Sequence, residues 1–355
     1  MRLDQLCVKG RSALRQKDLT DDGPYAVYGA SGIVGSMGTF QNGTRYVAVV
    51  KDGAGVGRAS LCPANTSVLG TMQALIPTEQ VLPEYLLHLV RAMRLGGGFT
   101  GSTIPHIYFK DYGQRLVRCV SLVEQGRIVG TLGSIEDQMG LLRGQVTKLD
   151  ALVKSRFVET FGDAGWPVAT IGSLAKDIRY GTSKKASGNG QFIYLRMNNM
   201  TDEGGLVFND VKHIDLSGPE LEKCQVIDGD LLFNRTNSRE KVGKTAVFHE
   251  AEPMVIAGYI IRVRLGDRVR PDFLSAYMNL PTTKATLRSI AKGAVHQANI
   301  NSKELSAIEV PVPPLELQDR FLSFVAEVDK SRFIVQQQIE KLQTLYDSLA
   351  QEYFS

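Results

Sequence analysis

Lys148-Leu149-Asp150-Ala151-Leu152 aligns with Lys341-Leu342-Gln343-Thr344-Leu345, and the numbers 148 and 341 differ by 193. The same offset of 193 joins Leu122 to Leu315, Gln125 to Gln318, Arg127 to Arg320, Ser155 to Ser348 and Phe161 to Phe354, and it reaches back to Ile107–Ile300 and Lys110–Lys303. One unbroken offset from Ile107 to Phe161 is a segment copied without gaps. A duplicated chain folds as two similar halves with pseudo-two-fold symmetry. Such a molecule suits a two-part target or two copies of a partner.

Working outward, the copied segment has the texture of a long helix. Between Leu122 and Phe161 proline disappears, and apolar residues fall at Leu132, Ile135, Met139, Leu142, Val146, Leu149 and Val153. These steps alternate three and four, the heptad seam of a coiled coil. A helix of roughly 40 residues would span ~60 Å. Gly130, Gly133, Gly140 and Gly144 either weaken it, by about 1 kcal/mol each relative to alanine, or admit the close approach of a second helix. From Leu315 to Phe354 the spacing recurs at Phe321, Val325, Val328, Val335, Ile339, Leu342, Tyr346 and Leu349, with Arg332 interrupting one position. Two heptad helices of equal length in one chain most simply pair with each other, since an exposed seam invites aggregation. Antiparallel packing would put the two remaining domains at opposite ends of a rod.

Those remaining segments are glycine-rich and mixed. In the first, Tyr46-Val47-Ala48-Val49-Val50 reads as a buried strand and Glu84 to Met93 as a helix with Tyr85, Leu86, Leu89, Val90 and Met93 on one face. In the second, Gln191 to Met197 and Met254 to Leu265 read as strands. Pro271-Asp272-Phe273-Leu274 matches Pro83-Glu84-Tyr85-Leu86 at an offset of 188, so loops have changed length inside the mixed domains. The expected division is residues 1–118, a long helix in 119–163, residues 164–312, and a long helix in 313–355: an α+β protein with a pseudo-two-fold internal repeat.

The 355 residues predict two or three domains, and 43% hydrophobic with 22% charged residues is ordinary for a soluble globular chain. A net charge of +4 only weakly favours a polyanionic partner. Cys7, Cys62, Cys119 and Cys224 lie far apart, without zinc-ligand spacing, and read as reduced thiols of a cytoplasmic protein. No apolar stretch approaches the ~20 residues of a membrane span, and no signal-peptide core follows Met1.

Two loops imitate phosphate sites. Lys51-Asp52-Gly53-Ala54-Gly55-Val56-Gly57-Arg58 follows a strand, but its spacing is wrong for a dinucleotide fingerprint and no amphipathic helix follows, so a turn before a hairpin is the simpler reading. Ser238-Arg239-Glu240-Lys241-Val242-Gly243-Lys244-Thr245 lacks the first glycine of a P-loop and runs into the strand-like Ala246-Val247-Phe248. Val56-Gly57-Arg58 and Val242-Gly243-Lys244 nonetheless occupy comparable places in the two halves. Arg179, Lys184, Lys185, Arg196, Asn198, Asn199, Arg235, Asn237, Arg239, Lys241 and Lys244 cluster in loops of the second half. Arginine reads guanine edges, asparagine reads adenine edges and lysine neutralises phosphate. The plain alternative is a solvated polar face. No nucleophile–base–orienter group, metal triad, or N-P-P-Y or D-P-P-Y tetrapeptide of an amino-methyltransferase is present. His106 and His296, just before the matched isoleucines, are by themselves ordinary histidines.

With these residues in view the chain resembles the specificity subunit of type I restriction–modification systems. Tyr25-Ala26-Val27-Tyr28-Gly29-Ala30-Ser31-Gly32-Ile33 is similar to that family's Y-G-A-S-G-I stretch. Trp166-Pro167-Val168-Ala169-Thr170-Ile171-Gly172-Ser173-Leu174 is similar to the opening of a target-recognition domain. Ile300-Asn301-Ser302-Lys303-Glu304-Leu305 and Val310-Pro311-Val312-Pro313-Pro314-Leu315-Glu316-Leu317-Gln318 are similar to the exit into a conserved helix. The order and repetition cover essentially the whole chain. The first domain departs from the pattern: it lacks a Trp-initiated opening, and Ser121-Leu122-Val123-Glu124-Gln125 keeps only Leu and Gln of the P-L-x-x-Q exit.

The resemblance implies two target-recognition domains separated by two long helices in an antiparallel coiled coil, each domain reading half of a bipartite DNA site. The helix pair would be a ruler and would dock two methyltransferase (modification) subunits. The chain would be non-catalytic and hold no cofactor or metal. S-adenosylmethionine would sit on the modification subunits, and ATP with Mg on restriction or motor subunits. The expected DNA contacts are Lys51, Arg58, Ser102, Thr103 and His106 in the first half. In the second they are Lys184, Lys185, Arg196, Asn198, Arg235, Asn237, Arg239, Lys241, Lys244, His296 and Gln297. The competing reading is a coiled-coil adaptor that binds only proteins.

Overall fold

The computed structural model describes residues 1–20, 22–98, 105–162, 165–294 and 297–355. The chain forms two compact units, Met1–Gly144 with Val335–Ser355, and Gln145–Ile334. Each takes in part of both long helices, so the boundaries fall inside the helices and not at their ends.

In the first unit Tyr46–Val50 lies at the centre of an antiparallel sheet, between Met72–Pro77 and Ala59–Cys62, with Cys7–Lys9 beyond Met72–Pro77. The strand is buried on both faces, which is why it reads as an unbroken apolar run. Val47 and Val49 enter one core, Tyr46, Ala48 and Val50 another. The second unit repeats this order with Leu231–Asn234 between Ile260–Leu265 and Thr245–Val247, and Ala175–Tyr180 beyond Ile260–Leu265. Leu231 and Phe233 face one core and Leu232 another. A smaller sheet also recurs. Tyr25–Gly29 pairs antiparallel with Gly32–Met37 and parallel with Ser67–Val68. Phe192–Leu195 pairs antiparallel with Lys212–Ile214 and parallel with Met254–Ile256. The expected strand Met254 to Leu265 is therefore two strands, broken at Ala257-Gly258-Tyr259, where the chain crosses between sheets.

Behind each main sheet stands a helix that begins on proline, Pro83–Ala92 and Pro271–Met278. Proline suits the first turn, where its missing N–H has no helical partner. Tyr85 and Leu86, like Phe273 and Leu274, are fully buried.

The long helices run Leu122–Phe161 and Leu315–Phe354. In the first unit Ile128, Leu132, Ile135 and Met139 share a core with Tyr346 and Ala350. In the second, Phe157 and Phe161 pack edge-on against Phe321 with ring centroids 5.2 and 5.7 Å apart. The start of one helix thus packs with the end of the other, and its end with the other's start, the order of an antiparallel pair. Phe157 and Phe161 carry the seam four and eight residues beyond Val153, further than the heptad reading took it. Arg332, the interruption, donates to Asp150 at 2.7 Å. A charge pair on an apolar seam disfavours shifted registers.

The glycines of the first helix depart from one expectation. A Cβ built at Gly130, Gly133, Gly140 or Gly144 meets nothing within 4 Å. They face open space, so no helix among the described residues approaches them.

Candidate nucleic-acid interface

The loops after the two central strands are held by the same backbone hydrogen bonds. Gly57 N–H donates to Val50 O and Gly243 N–H to Asn234 O, both at 2.8 Å; Val50 N–H to Arg58 O and Asn234 N–H to Lys244 O are also both 2.8 Å. Lys51 N–H donates to Thr71 O at 3.0 Å, as Arg235 N–H does to Tyr259 O at 2.9 Å. Ile107 N–H reaches Lys51 O at 3.0 Å, and Ile300 N–H reaches Arg235 O at 2.9 Å. Leu69 N–H to Tyr28 O and Ala257 N–H to Leu195 O are both 2.9 Å. Gly70 N–H to Leu14 O is 2.6 Å, and Gly258 N–H to Thr182 O is 2.7 Å. Gly57 and Gly243 both need the left-handed backbone, with φ of 85° and 84°.

This scaffold gathers four segments on one side of each unit, and the side chains it presents differ. Lys51, Asp52, Thr71 and His106 in the first unit stand where Arg235, Thr236, Tyr259 and Asn299 stand in the second. In the first, His106 Nδ1 lies 2.7 Å from Asp52 Oδ1, and its ring stacks on Tyr108 with centroids 6.5 Å apart. Lys51 is half-buried and its side chain has no hydrogen-bond or ion-pair partner among the described residues, whereas exposed Arg58 curls over its own loop, its Nε donating to Gly55 O at 3.3 Å. In the second, Arg235 lies over the Tyr180 ring, and exposed Arg239 donates to Ala291 O at 3.3 Å. Asn237 shapes the loop by donating to Asn234 Oδ1 at 3.3 Å and accepting from Ser238 N at 2.9 Å. Lys241, Lys185 and Gln297 are exposed, and their side chains have no hydrogen-bond or ion-pair partner among the described residues. The loop thus follows the hairpin reading, not a phosphate cradle: Tyr46–Val50 pairs antiparallel with Ala59–Cys62.

Other expected contacts are already engaged. Lys244 is turned inward; its Nζ lies 2.8 Å from Asp202 Oδ1 and donates to Met200 O at 3.1 Å. That bond holds the Asp202 carboxyl below its usual range. Beside it Lys284, pushed down to about 8 by burial, donates to Gly243 O at 2.6 Å and pins the loop base. Arg196 bonds Asp210 at 3.0 Å and Asn198 bonds the same carboxylate at 3.3 Å, so the Asp210 pKa is depressed, first by the Arg196 bond. Lys184 pairs with Glu220, which also accepts from Thr182 Oγ1. These three cations are neutralised locally because each has a carboxylate from another segment of the chain, which charge counting along the sequence does not show. Ser102, Thr103 and His296 lie outside the described residues. The sequence reading passed over Tyr180, Tyr259 and Asn299. The offsets of 188 and 193 would have found the last two, by carrying Thr71 to Tyr259 and His106 to Asn299. No cluster of three or more metal-binding side chains occurs among the described residues.

A family model for the type I restriction modification DNA specificity domain matches residues 164–344, just over half the chain. The chain is 27% identical over 143 residues to a Methanocaldococcus jannaschii protein described as the specificity subunit of the type I restriction enzyme MjaX, covering 40% of this chain and 34% of that relative. It is 23% identical over 182 residues to the specificity subunit of the Escherichia coli type I restriction enzyme EcoKI, covering 50% of this chain and 39% of that one. The matched segments thus span between a third and two fifths of these relatives. The crystal structure of a type I S subunit from M. genitalium superposes with a TM-score of 0.53 at 15% identity, over 100% of this chain and 95% of that one, and shares the fold.

Proposed function

Because the chain belongs to the type I restriction modification DNA specificity family, we propose that its two units each read one half of a bipartite duplex DNA site. The observation that carries this reading is the duplicated scaffold with unlike side chains: the backbone is kept while Lys51, Thr71 and His106 give way to Arg235, Tyr259 and Asn299. Two different half-sites call for that combination, because phosphate positioning can be shared while base readout cannot. The chain is itself non-catalytic and carries no cofactor. Methylation belongs to two modification subunits with S-adenosylmethionine, and cleavage to ATP- and Mg-dependent partners.

Docking of two copies of one partner is supported by exposed apolar side chains that repeat at the duplication offset. Leu141 (72% exposed) corresponds to Ile334 (55%), and Leu152 (47%) to Leu345 (47%). Each unit therefore shows one member of each pair, on helix faces that water alone would leave polar. Free thiols at Cys7, Cys62, Cys119 and Cys224 suit a reducing cytoplasm. No helix among the described residues is long and apolar enough to cross a membrane.

The test is duplex binding by the full chain as salt is raised. Neutralising Z phosphates gives a slope of about −0.9Z in log affinity against log salt, and Lys241→Ala should lower it by about one unit while weakening all duplexes alike. A chain that binds modification subunits but no duplex at low salt would be the protein-only adaptor.

A further inference from the structure

The loop after the central strand opens on a cation in both units, and the two cations are held differently. The Lys51 side chain has no hydrogen-bond or ion-pair partner among the described residues. Arg235 is fixed on three sides. Its guanidinium carbon lies 4.8 Å over the Tyr180 ring, its Nη2 donates to Asn299 Oδ1 at 3.1 Å, and its Nη1 reaches the Gly258 carbonyl at 3.5 Å. The shelf beneath it is fixed too: the Tyr180 hydroxyl donates to Ser302 Oγ at 2.9 Å and accepts from Ser302 N–H at 2.7 Å.

A guanidinium held this way has given up its rotamer freedom before a ligand arrives. Among the described residues, five N–H groups less the two bonded ones leave a hydrogen on each Nη for a partner, while Nε is buried and unpaired. Two donors at fixed spacing match O6 and N7 of guanine. Phosphate would accept them as well, but it asks for no fixed plane. The exposed, unpaired Lys185 and Lys241 suit phosphate better.

We infer that Arg235 is the specificity-determining residue of the second unit and reads a guanine of its half-site, with Tyr180 and Asn299 as positioning residues. The inference rests on the DNA-reading function proposed above. Lysine, a point charge without a fork, cannot replace it at such a site, so Arg235→Lys separates base reading from charge.

Selection of duplexes from a randomised library by the full chain decides it. The wild type should enrich a two-part site with an invariant G·C pair in one half. Arg235→Lys and Arg235→Ala should relax that one position to any base pair, leave the other half unchanged, and lower affinity for the best duplex roughly ten- to hundred-fold. Tyr180→Leu, which removes the shelf, should relax the same position in part, whereas Tyr180→Phe should retain it. An unaltered G·C requirement in both Arg235 variants would overturn the inference while leaving the two-part site standing, as would equal weakening on every duplex with Arg235→Lys restoring it. A wild-type chain that enriches no duplex would instead remove the DNA-reading function itself.

Discussion

Gln125 and Gln318 show how one residue joins a recognition surface to a helix. Both are wholly buried in the first turn of a long helix. Gln125 Oε1 accepts from Leu82 N–H at 2.8 Å, and its Nε2 donates to Gln80 O and Val120 O, both at 2.9 Å. Gln318 Oε1 accepts from Arg270 N–H at 2.8 Å, and its Nε2 donates to Arg268 O at 3.3 Å and Pro313 O at 2.8 Å. Leu82 and Arg270 each precede the proline that opens a domain helix, so the side chain ties a long helix to the start of that helix. An alanine at either position takes the partner from the three corresponding backbone groups, which lie in part-buried or buried surroundings. Each unpaired buried group costs about 1–3 kcal/mol, and with partial relaxation Gln125→Ala and Gln318→Ala should each lose about 2–3 kcal/mol in urea unfolding. Losses below about 0.5 kcal/mol would mean that apolar packing alone seats the domains. The sequence displayed this pair through the offset of 193, but the partners are backbone atoms and leave no trace in residue identity.

The elements were legible in proportion to their regularity. A sustained three–four period has one structural solution, and the proline-free stretches Leu122–Phe161 and Leu315–Phe354 that carry it are helical from end to end. The interface was harder to read because backbone hydrogen bonds hold it. Matched positions drift from an offset of 184 at Val50–Asn234 to 186 at Gly57–Gly243, 188 at Thr71–Tyr259 and 193 at Ile107–Ile300. Each loop absorbs its own insertion, and the side chains are the part that changes. The sequence does not show that Lys244, Arg196 and Lys184 are engaged, because their carboxylates come from other segments. The helix glycines were legible as weak points, and the open space around them settles which of their two readings holds. In the isolated chain Gly130→Ala and Gly140→Ala should each stabilise by about 1 kcal/mol, the helix-propensity difference alone. Calorimetry of the single variants tests this, and destabilisation would reveal a packing constraint at those positions.

At the scale of the whole molecule, the duplication yields two units with separate cores and an interface built within each. Residues 166–312 lie within the second unit, and their two ends are side by side. Val168–Thr170 pairs antiparallel with Glu309–Pro311, and Val312 N–H donates to Pro167 O at 2.8 Å. A segment whose ends are tied together can be exchanged without rerouting the chain. The incoming segment must bring an apolar ring where Phe273 stacks on Phe157 at 5.1 Å, and a backbone N–H for Gln318. Given those, replacing residues 166–312 with the corresponding segment of another family member should change one half of the recognised site. The other half should be unaltered, since Lys51, Thr71 and His106 belong to the first unit. Mapping methylated adenines in cells that express the exchanged chain with its modification subunits reads both halves at once. A change confined to one half is the expected result. Changes in both halves would mean that the units do not read independently, and that the kept backbone with unlike side chains serves a single composite surface.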